Sequence, residues 1–192
     1  MLSRTVLVKN ITNLSEARYC AGMGVEYLSF DLNHDSPHFL PKPAFDEIRN
    51  WLTGIKVLGH THLTDVSELT ALKDDYQLDG YVLSSEESVT SGLTGIFLEL
   101  SVNDPFLEDK LNIYSSSVEY FILIADEIDD EVLNKVNKLA ALFPVMVGYS
   151  VDAEQLSEIT DAGFAFEGSK EERPGFNQYD QLMDKLESLE TD

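Results

Sequence analysis

The chain alternates, almost without interruption, between short apolar runs and amphipathic segments. This alternation constrains its fold more than any single motif does. Eight runs read as strands: "TVLVKN" (Thr5–Asn10), "YLSFDL" (Tyr27–Leu32), "IKVLGHT" (Ile55–Thr61), "GYVLSS" (Gly80–Ser85), "GIFLELSV" (Gly95–Val102), "YFILIAD" (Tyr120–Asp126), "VMVGYS" (Val145–Ser150) and "FAFEGS" (Phe164–Ser169). Each is rich in Val, Ile, Leu or Phe and bounded by turn-prone residues, the pattern of a strand buried on both faces.

Helix signals fill the gaps. Asn13 precedes Glu16 by three residues, as in a capping box, and Gly24 supplies a stop. Pro43 stands in the first turn of a second helix, with Gly54 as its stop. Further starts fall at Asp65 and at Asp104, which Pro105 follows. Val132, Val136 and Leu139 share one face of "DDEVLNKVNKLAALF" before Pro144. "DAEQLSEITDAG" predicts a helix from Asp152 to Gly163, and "YDQLMDKLESLE" closes the chain. Only "ESVTSGL", after the fourth strand, is too short and β-branched to read as a helix. Alternating βα units imply a parallel sheet. Eight of them close most economically into a compact α/β (β/α)8 TIM barrel, one domain spanning residues 1–192. An open doubly wound sheet is the competitor, but no GxGxxG follows the first strand.

Charge narrows the partners. Thirteen basic residues stand against 35 acidic ones, a formal charge of −22. Such a surface repels nucleic acid and anionic membrane, whose binding rests on Lys and Arg neutralising phosphate. No apolar run approaches the roughly 18 residues of a membrane span. The N-terminus shows no charged segment followed by an apolar block, and Cys20 is the one cysteine, so a reducing, cytoplasmic setting is expected. His34 with His38, and His60 with His62, lack the companion ligands of a metal motif. Neither a metal nor another cofactor is expected, and nothing in the sequence reports an oligomeric state.

In a barrel of this kind the chemistry sits at the C-terminal ends of the strands. Those ends read Lys9 and Asn10, Asp31, His60, Ser84 and Ser85, Glu99 and Ser101, Asp126, Gly148 with Ser150, and Gly168 with Ser169. Glu167 lies just inside the last. The mouth is polar and rich in carboxylates, with one strand-end lysine, although several of these residues could equally be solvated caps. Loops after strands seven and eight commonly hold phosphate on backbone N–H groups, and Gly148, Ser150, Gly168 and Ser169 are placed to do so. A phosphorylated small molecule is therefore the ligand class to expect. Glu167, Glu171 and Glu172 oppose an anion there, which Lys170 or Arg173 could partly offset.

In order along nearly the whole chain, these stretches resemble the phosphoribosylanthranilate isomerase family, barrel enzymes of tryptophan biosynthesis. "LVKNITNLSEARYCAGMGVEYLSF" resembles the family opening, a "KICGIT" strand followed by N-L-E-D-A and a helix ending before "GADYLGF". "DSPHFLPKPAFDEI" is similar to its S-P-R-x-V loop, and "LDGYVLSSEE" to its L-D-x-V-Q-L-H-G-x-E. "VMVGYSVDAEQL" and "FEGSKEERPGFNQYDQL" are similar to the stretches after strands seven and eight.

The departures fall on the chemistry that the resemblance implies. The family reaction is an Amadori rearrangement, in which an acid protonates the sugar ring oxygen while a base removes the C2 proton. The family's catalytic cysteine aligns with Lys9, and its general-acid aspartate with Asp126, or with Ala125 in a shifted alignment. Its substrate-binding arginine aligns with His38 and its H-G pair with Ser84 and Ser85, while Asp31 and Glu99 border the same substrate region. The glycine-rich loop after that aspartate is replaced by "EIDDEV". A thiol, at about 8.5, lies near neutrality, whereas a lysine amine begins near 10.4 and carboxylates around it favour its charged form. A charged ammonium does not abstract protons. Lys9 is expected to pair with Asp126 or Glu167, to hold an anionic ligand group, or, if desolvated, to form an imine with a carbonyl. His38 offers no bidentate fork for a carboxylate. Three functions follow: a diverged barrel with weak or no isomerase activity that binds a phosphorylated ligand, a working isomerase with unusual residues, or a Lys9 imine-forming enzyme.

Overall fold

The computed structural model describes residues 1–90, 92–168, 171–173, 176–177 and 180–191, with backbone only for 171–173, 176–177 and 180. Eight strands, β1 (Val6–Lys9), β2 (Tyr27–Asp31), β3 (Lys56–Thr61), β4 (Gly80–Leu83), β5 (Ile96–Ser101), β6 (Tyr120–Ile124), β7 (Val145–Gly148) and β8 (Gly163–Glu167), form a closed barrel in sequence order. All neighbours are parallel, and β8 closes on β1 with Lys9 opposite Glu167. Every expected strand is present, trimmed at one or both ends by a residue or two or, for β8, begun one residue earlier. The barrel is a TIM barrel of one domain.

Helices α1 (Leu14–Met23), α2 (Lys42–Arg49), α3 (Val66–Tyr76), α4 (Leu107–Tyr114), α5 (Asp130–Ala140) and α6 (Asp180–Ser188) cover the outside. Their starts follow capping chemistry. Asn13 Oδ1 accepts from the Glu16 N–H, Asp65 Oδ1 from those of Ser67 and Glu68, and Asp129 Oδ1 from that of Val132. Gly24 ends α1 with φ at 83°, a left-handed cap that glycine adopts without strain. Asp104 accepts from the Phe106 N–H, so the turn around Pro105 precedes α4 rather than opening it.

Two expectations need correction. The second helix ends at Arg49, capped by Asn50, and Gly54 serves a later turn with φ at 78°. The segment after β7 is a 3₁₀ turn over Ala153–Glu158, closed by Asp152 and Gln155 as a capping box, rather than a helix reaching Gly163. Gly163 belongs to β8, where a Cβ would sit 2.8 Å from the Thr5 carbonyl oxygen. After β4 a 3₁₀ turn over Glu86–Ser88 takes the place of a helix, as the β-branched "ESVTSGL" suggested. Beyond β8 a short antiparallel pair, β9 (Glu171–Arg173) and β10 (Phe176–Asn177), had no counterpart in the sequence reading.

Two apolar layers hold the barrel. Leu7, Tyr27, Leu58, Val82, Phe97, Ile122, Met146 and Ala165 fill the interior, and a larger shell including Val8, Phe30, Leu83, Leu98, Leu123 and Phe166 packs between strands and helices. Strands buried on both faces explain the near-continuous apolar runs. No helix is long and apolar enough to cross a membrane among the described residues.

Candidate active site

Strand periodicity selects the side chains that reach the mouth. Successive side chains on a strand point to opposite faces, so residues two or four beyond an interior one also face inward. Counting on from the interior layer, Leu7 leads to Lys9, Tyr27 through Ser29 to Asp31, Leu58 to His60, Val82 to Ser84, and Phe97 to Glu99. Met146 leads to Gly148 and Ala165 to Glu167. A barrel lined by apolar groups is thus topped by an almost entirely polar ring.

The ring is joined by its own contacts. Lys9 Nζ lies 2.5 Å from Glu99 Oε1 and donates to it. The Tyr149 hydroxyl donates to the same oxygen at 2.5 Å, and the Lys9 ammonium stands 5.0 Å from the Tyr149 ring centre. Ser84 Oγ donates to Glu99 Oε2. His60 Nε2 is 3.2 Å from Ser84 Oγ, and His60 Nδ1 is 3.5 Å from Asp31 Oδ2. Asp31 is fixed in turn by the Asn33 N–H at 3.0 Å, Asn33 Nδ2 at 2.8 Å and Ser36 Oγ at 2.6 Å. Lys9, Asp31, His60 and Glu99 are all buried, while Ser84 is exposed.

These contacts decide the charge state of the carboxylates. Burial pushes the Glu99 carboxyl up, but the Lys9 ammonium beside it and hydrogen bonds from Lys9, Ser84 and Tyr149 outweigh burial and hold it below its ordinary value. Asp31 follows the same logic: burial raises it, and His60, Ser36 and the Asn33 N–H bring it well below the usual carboxylate range. Burial, then the neighbouring Glu99 charge, pushes the Tyr149 phenol far up, so it remains a neutral donor.

Two backbone positions are bent to build this arrangement. Asn10 and Tyr149, each the first residue beyond its strand, both have φ at 61°. Asparagine visits this region readily and tyrosine seldom does. The Tyr149 N–H donates to the Ala165 carbonyl at 2.9 Å while its hydroxyl holds Glu99, so the turn is tied at both ends.

The partner of Lys9 is therefore Glu99, on the far side of the barrel, rather than Asp126 or Glu167. Asp126 lies past the end of β6, exposed, and lines a peripheral cavity of about 360 Å³ with Asn103, Glu127, Asp129, Glu131 and Lys135. None of the residues that line this cavity with Asp126 belongs to the Lys9–Glu99 ring. Ala125, the alternative alignment, is buried and has no proton to give. Glu167 accepts from Asn10 Nδ2 at 3.3 Å. His38 sits half-buried in the loop after β2, where its N–H donates to Ser36 Oγ, so it touches the ring only through the serine that braces Asp31.

The expected phosphate donors are largely engaged within the protein. The Gly168 N–H donates to the Lys9 carbonyl at 2.7 Å, and the Ser150 N–H to the Gly148 carbonyl at 2.9 Å. Gly148 is small for packing reasons, since a Cβ there would lie 2.9 Å from Ile122 Cγ2 and 3.2 Å from the Leu123 carbonyl oxygen. Ser169 lies outside the described residues.

Sequence reasoning missed two participants. Tyr149 was concealed by its φ, which carries the side chain back over the mouth. Lys185, on α6, faces a cavity of about 230 Å³ lined by Tyr149, Phe166, Glu167, Gly168, Gln181 and Leu182. Burial pushes its amine down against the opposite pull of Asp152 and Glu167. Its only sequence signal was being a lone basic residue on an acidic helix.

No family model and no curated protein sequence matches the chain. The fold, by contrast, is that of phosphoribosylanthranilate isomerases. The enzyme from Thermus thermophilus superposes with a TM-score of 0.76 at 17% identity, covering 96% of this chain and 98% of that one. The Thermotoga maritima enzyme gives 0.77 at 15% identity, over 97% and 98%. A third structure, an isomerase in complex with reduced 1-(o-carboxyphenylamino)-1-deoxyribulose 5-phosphate, gives 0.75 at 15% identity over 97% and 98%.

Proposed function

We propose that this barrel is a diverged homologue of phosphoribosylanthranilate isomerase that has given up the Amadori rearrangement and keeps a capacity to bind a phosphorylated small molecule. The observation that carries the first half is the buried Lys9–Glu99 ion pair, at the strand end where the resemblance aligns the catalytic cysteine. An ammonium committed to a buried carboxylate, and covered by the Tyr149 ring, has no free lone pair with which to take the C2 proton. Asp126, which the resemblance aligns with the acid, is exposed on a cavity that no ring residue lines, which supports the same reading.

Support for the second half is chemical. The cavity beside Gly168 holds the Lys185 amine 5.5 Å from the Phe166 ring centre, a cation with an apolar wall behind it. A phosphate monoester would give this cation an anionic partner. Glu167, on the same cavity, and the overall acidity make this binding weak and salt-sensitive. The similar isomerase structure that holds reduced 1-(o-carboxyphenylamino)-1-deoxyribulose 5-phosphate supports the same ligand class.

The test combines turnover and binding. Purified protein is supplied with N-(5-phosphoribosyl)anthranilate generated in place, and the decay of its fluorescence is followed. No decay above the uncatalysed rate is expected; decay that vanishes in Lys9→Ala overturns the reading. Calorimetric titration with ribose 5-phosphate is expected to show binding that Lys185→Ala abolishes, and no binding by the wild type removes the ligand half.

A further inference from the structure

Asp31, His60 and Ser84 lie at the ends of three successive strands, β2, β3 and β4, with Asp31 directly opposite His60 in the strand register. A carboxylate, an imidazole and a hydroxyl stand in line along the rim: Asp31 Oδ2 to His60 Nδ1 is 3.5 Å, and His60 Nε2 to Ser84 Oγ is 3.2 Å. We propose that these three residues form an acyl-transfer site, with Ser84 as nucleophile toward small uncharged carboxylic esters, His60 as base and Asp31 as the group that orients it.

Three features separate this arrangement from a chance row of polar groups. The carboxylate is built in place: Asn33 donates twice to Asp31 Oδ1, and Oδ2 accepts from Ser36 Oγ at 2.6 Å while lying 3.5 Å from the imidazole. The imidazole is buried, 7% exposed, with Nε2 facing Ser84 Oγ and Nδ1, which makes no hydrogen bond at rest, 3.5 Å from Asp31 Oδ2. The hydroxyl alone is exposed, where an ester could reach it. An order of nucleophile, base and orienting group within or near hydrogen-bond reach is the general signature of an activated hydroxyl, and such contacts often tighten only when substrate is bound.

Glu99 has a part in this geometry. Ser84 has one proton and two acceptors in reach, Glu99 Oε2 and His60 Nε2. At rest the proton goes to Glu99 Oε2, an oxygen of a carboxylate already held by Lys9 and Tyr149, so the Ser84 O–H must turn to His60 Nε2, 3.2 Å away, before attack. On attack, the Oγ–carbonyl bond forms as the hydroxyl proton passes to His60 Nε2. The ester C–O bond then breaks, and that proton leaves with the alcohol. Water repeats the sequence, releasing the acid and restoring Ser84. The formal charge of −22 disfavours anionic esters at the mouth.

A fluorophosphonate probe, which forms a stable adduct only on an activated serine hydroxyl, tests this on the whole chain, with the modified peptide located by mass spectrometry. One adduct on Ser84 is expected. It should be absent in Ser84→Ala, unchanged in Ser85→Ala, and slower by at least about a hundredfold in His60→Gln, the usual weight of a general base. If His60→Gln does not fold, Asp31→Asn is read instead, with a slowing of at least about tenfold expected for a lost orienting group. No adduct on the wild type, an adduct elsewhere, or a rate indifferent to His60 and Asp31 overturns the proposal. None of these outcomes depends on whether ribose 5-phosphate binds at Lys185, so this site and the proposed function fail separately.

Discussion

Lys9 and Glu99 meet at 2.5 Å although 90 residues separate them, because β1 and β5 face each other across an eight-stranded barrel. Their contact runs over the mouth from wall to wall, and Tyr149 and Ser84 join it from two further strands. The mouth of the barrel is bridged by the protein's own charges. The following expectations rest on that relationship.

Acid should loosen the fold through this ring. Glu99 and Asp31 are both held below their ordinary values in the folded protein. Between the folded and unfolded values the unfolded chain binds more protons, so stability rises with pH there. Their contribution is complete above the unfolded carboxylate range, near 4, and is lost as pH falls through the depressed values. Denaturant midpoints measured from pH 7 to pH 3 should therefore fall with acid. Glu99→Gln should fall less steeply than wild type, while being less stable at pH 7. Parallel slopes for the two proteins would show that Glu99 is not perturbed by folding.

Restoring the family's residue should not restore the reaction. In Lys9→Cys the thiol gains neither an acid partner, with Asp126 outside the ring, nor a guanidinium at His38, and it leaves Glu99 buried without its cation. We expect isomerase turnover to remain at background in the fluorescence assay and the unfolding midpoint to drop. Turnover appearing in Lys9→Cys alone would mean that the remaining site is intact.

Gly148 separates packing from ligand binding. A Cβ there would press on Ile122 and on the Leu123 carbonyl, so Gly148→Ala should cost about 1–3 kcal/mol of stability, as overpacked cores do. Its affinity for ribose 5-phosphate should match wild type when the folded fraction is taken into account. Unchanged stability with lost binding would return Gly148 to the ligand site.

How far the sequence foretold this differs between fold and site. The barrel was legible because strands buried on both faces leave uninterrupted apolar runs such as Phe121–Ile124, and caps such as Asn13 and Asp65 mark helix starts locally. The weak point was Ala153–Glu158, where a cap and an amphipathic pattern promised a helix but only a 3₁₀ turn formed before Gly163 entered β8. Ring membership followed from the strand ends, which placed Lys9, Asp31, His60, Ser84 and Glu99 at the mouth. Pairing within the ring was not legible. It depends on which strands lie opposite one another and on the unusual φ of Tyr149, neither of which a linear pattern records.

The most direct measurement is a double-mutant cycle on the pair itself, unfolding wild type, Lys9→Met, Glu99→Gln and Lys9→Met with Glu99→Gln in urea at pH 7. Leaving Glu99 without its cation should cost about 3–5 kcal/mol, since an unpaired buried charge remains, and the double variant should recover most of that loss. Additive losses, with no recovery in the double variant, would contradict the claim that a buried ion pair closes this barrel.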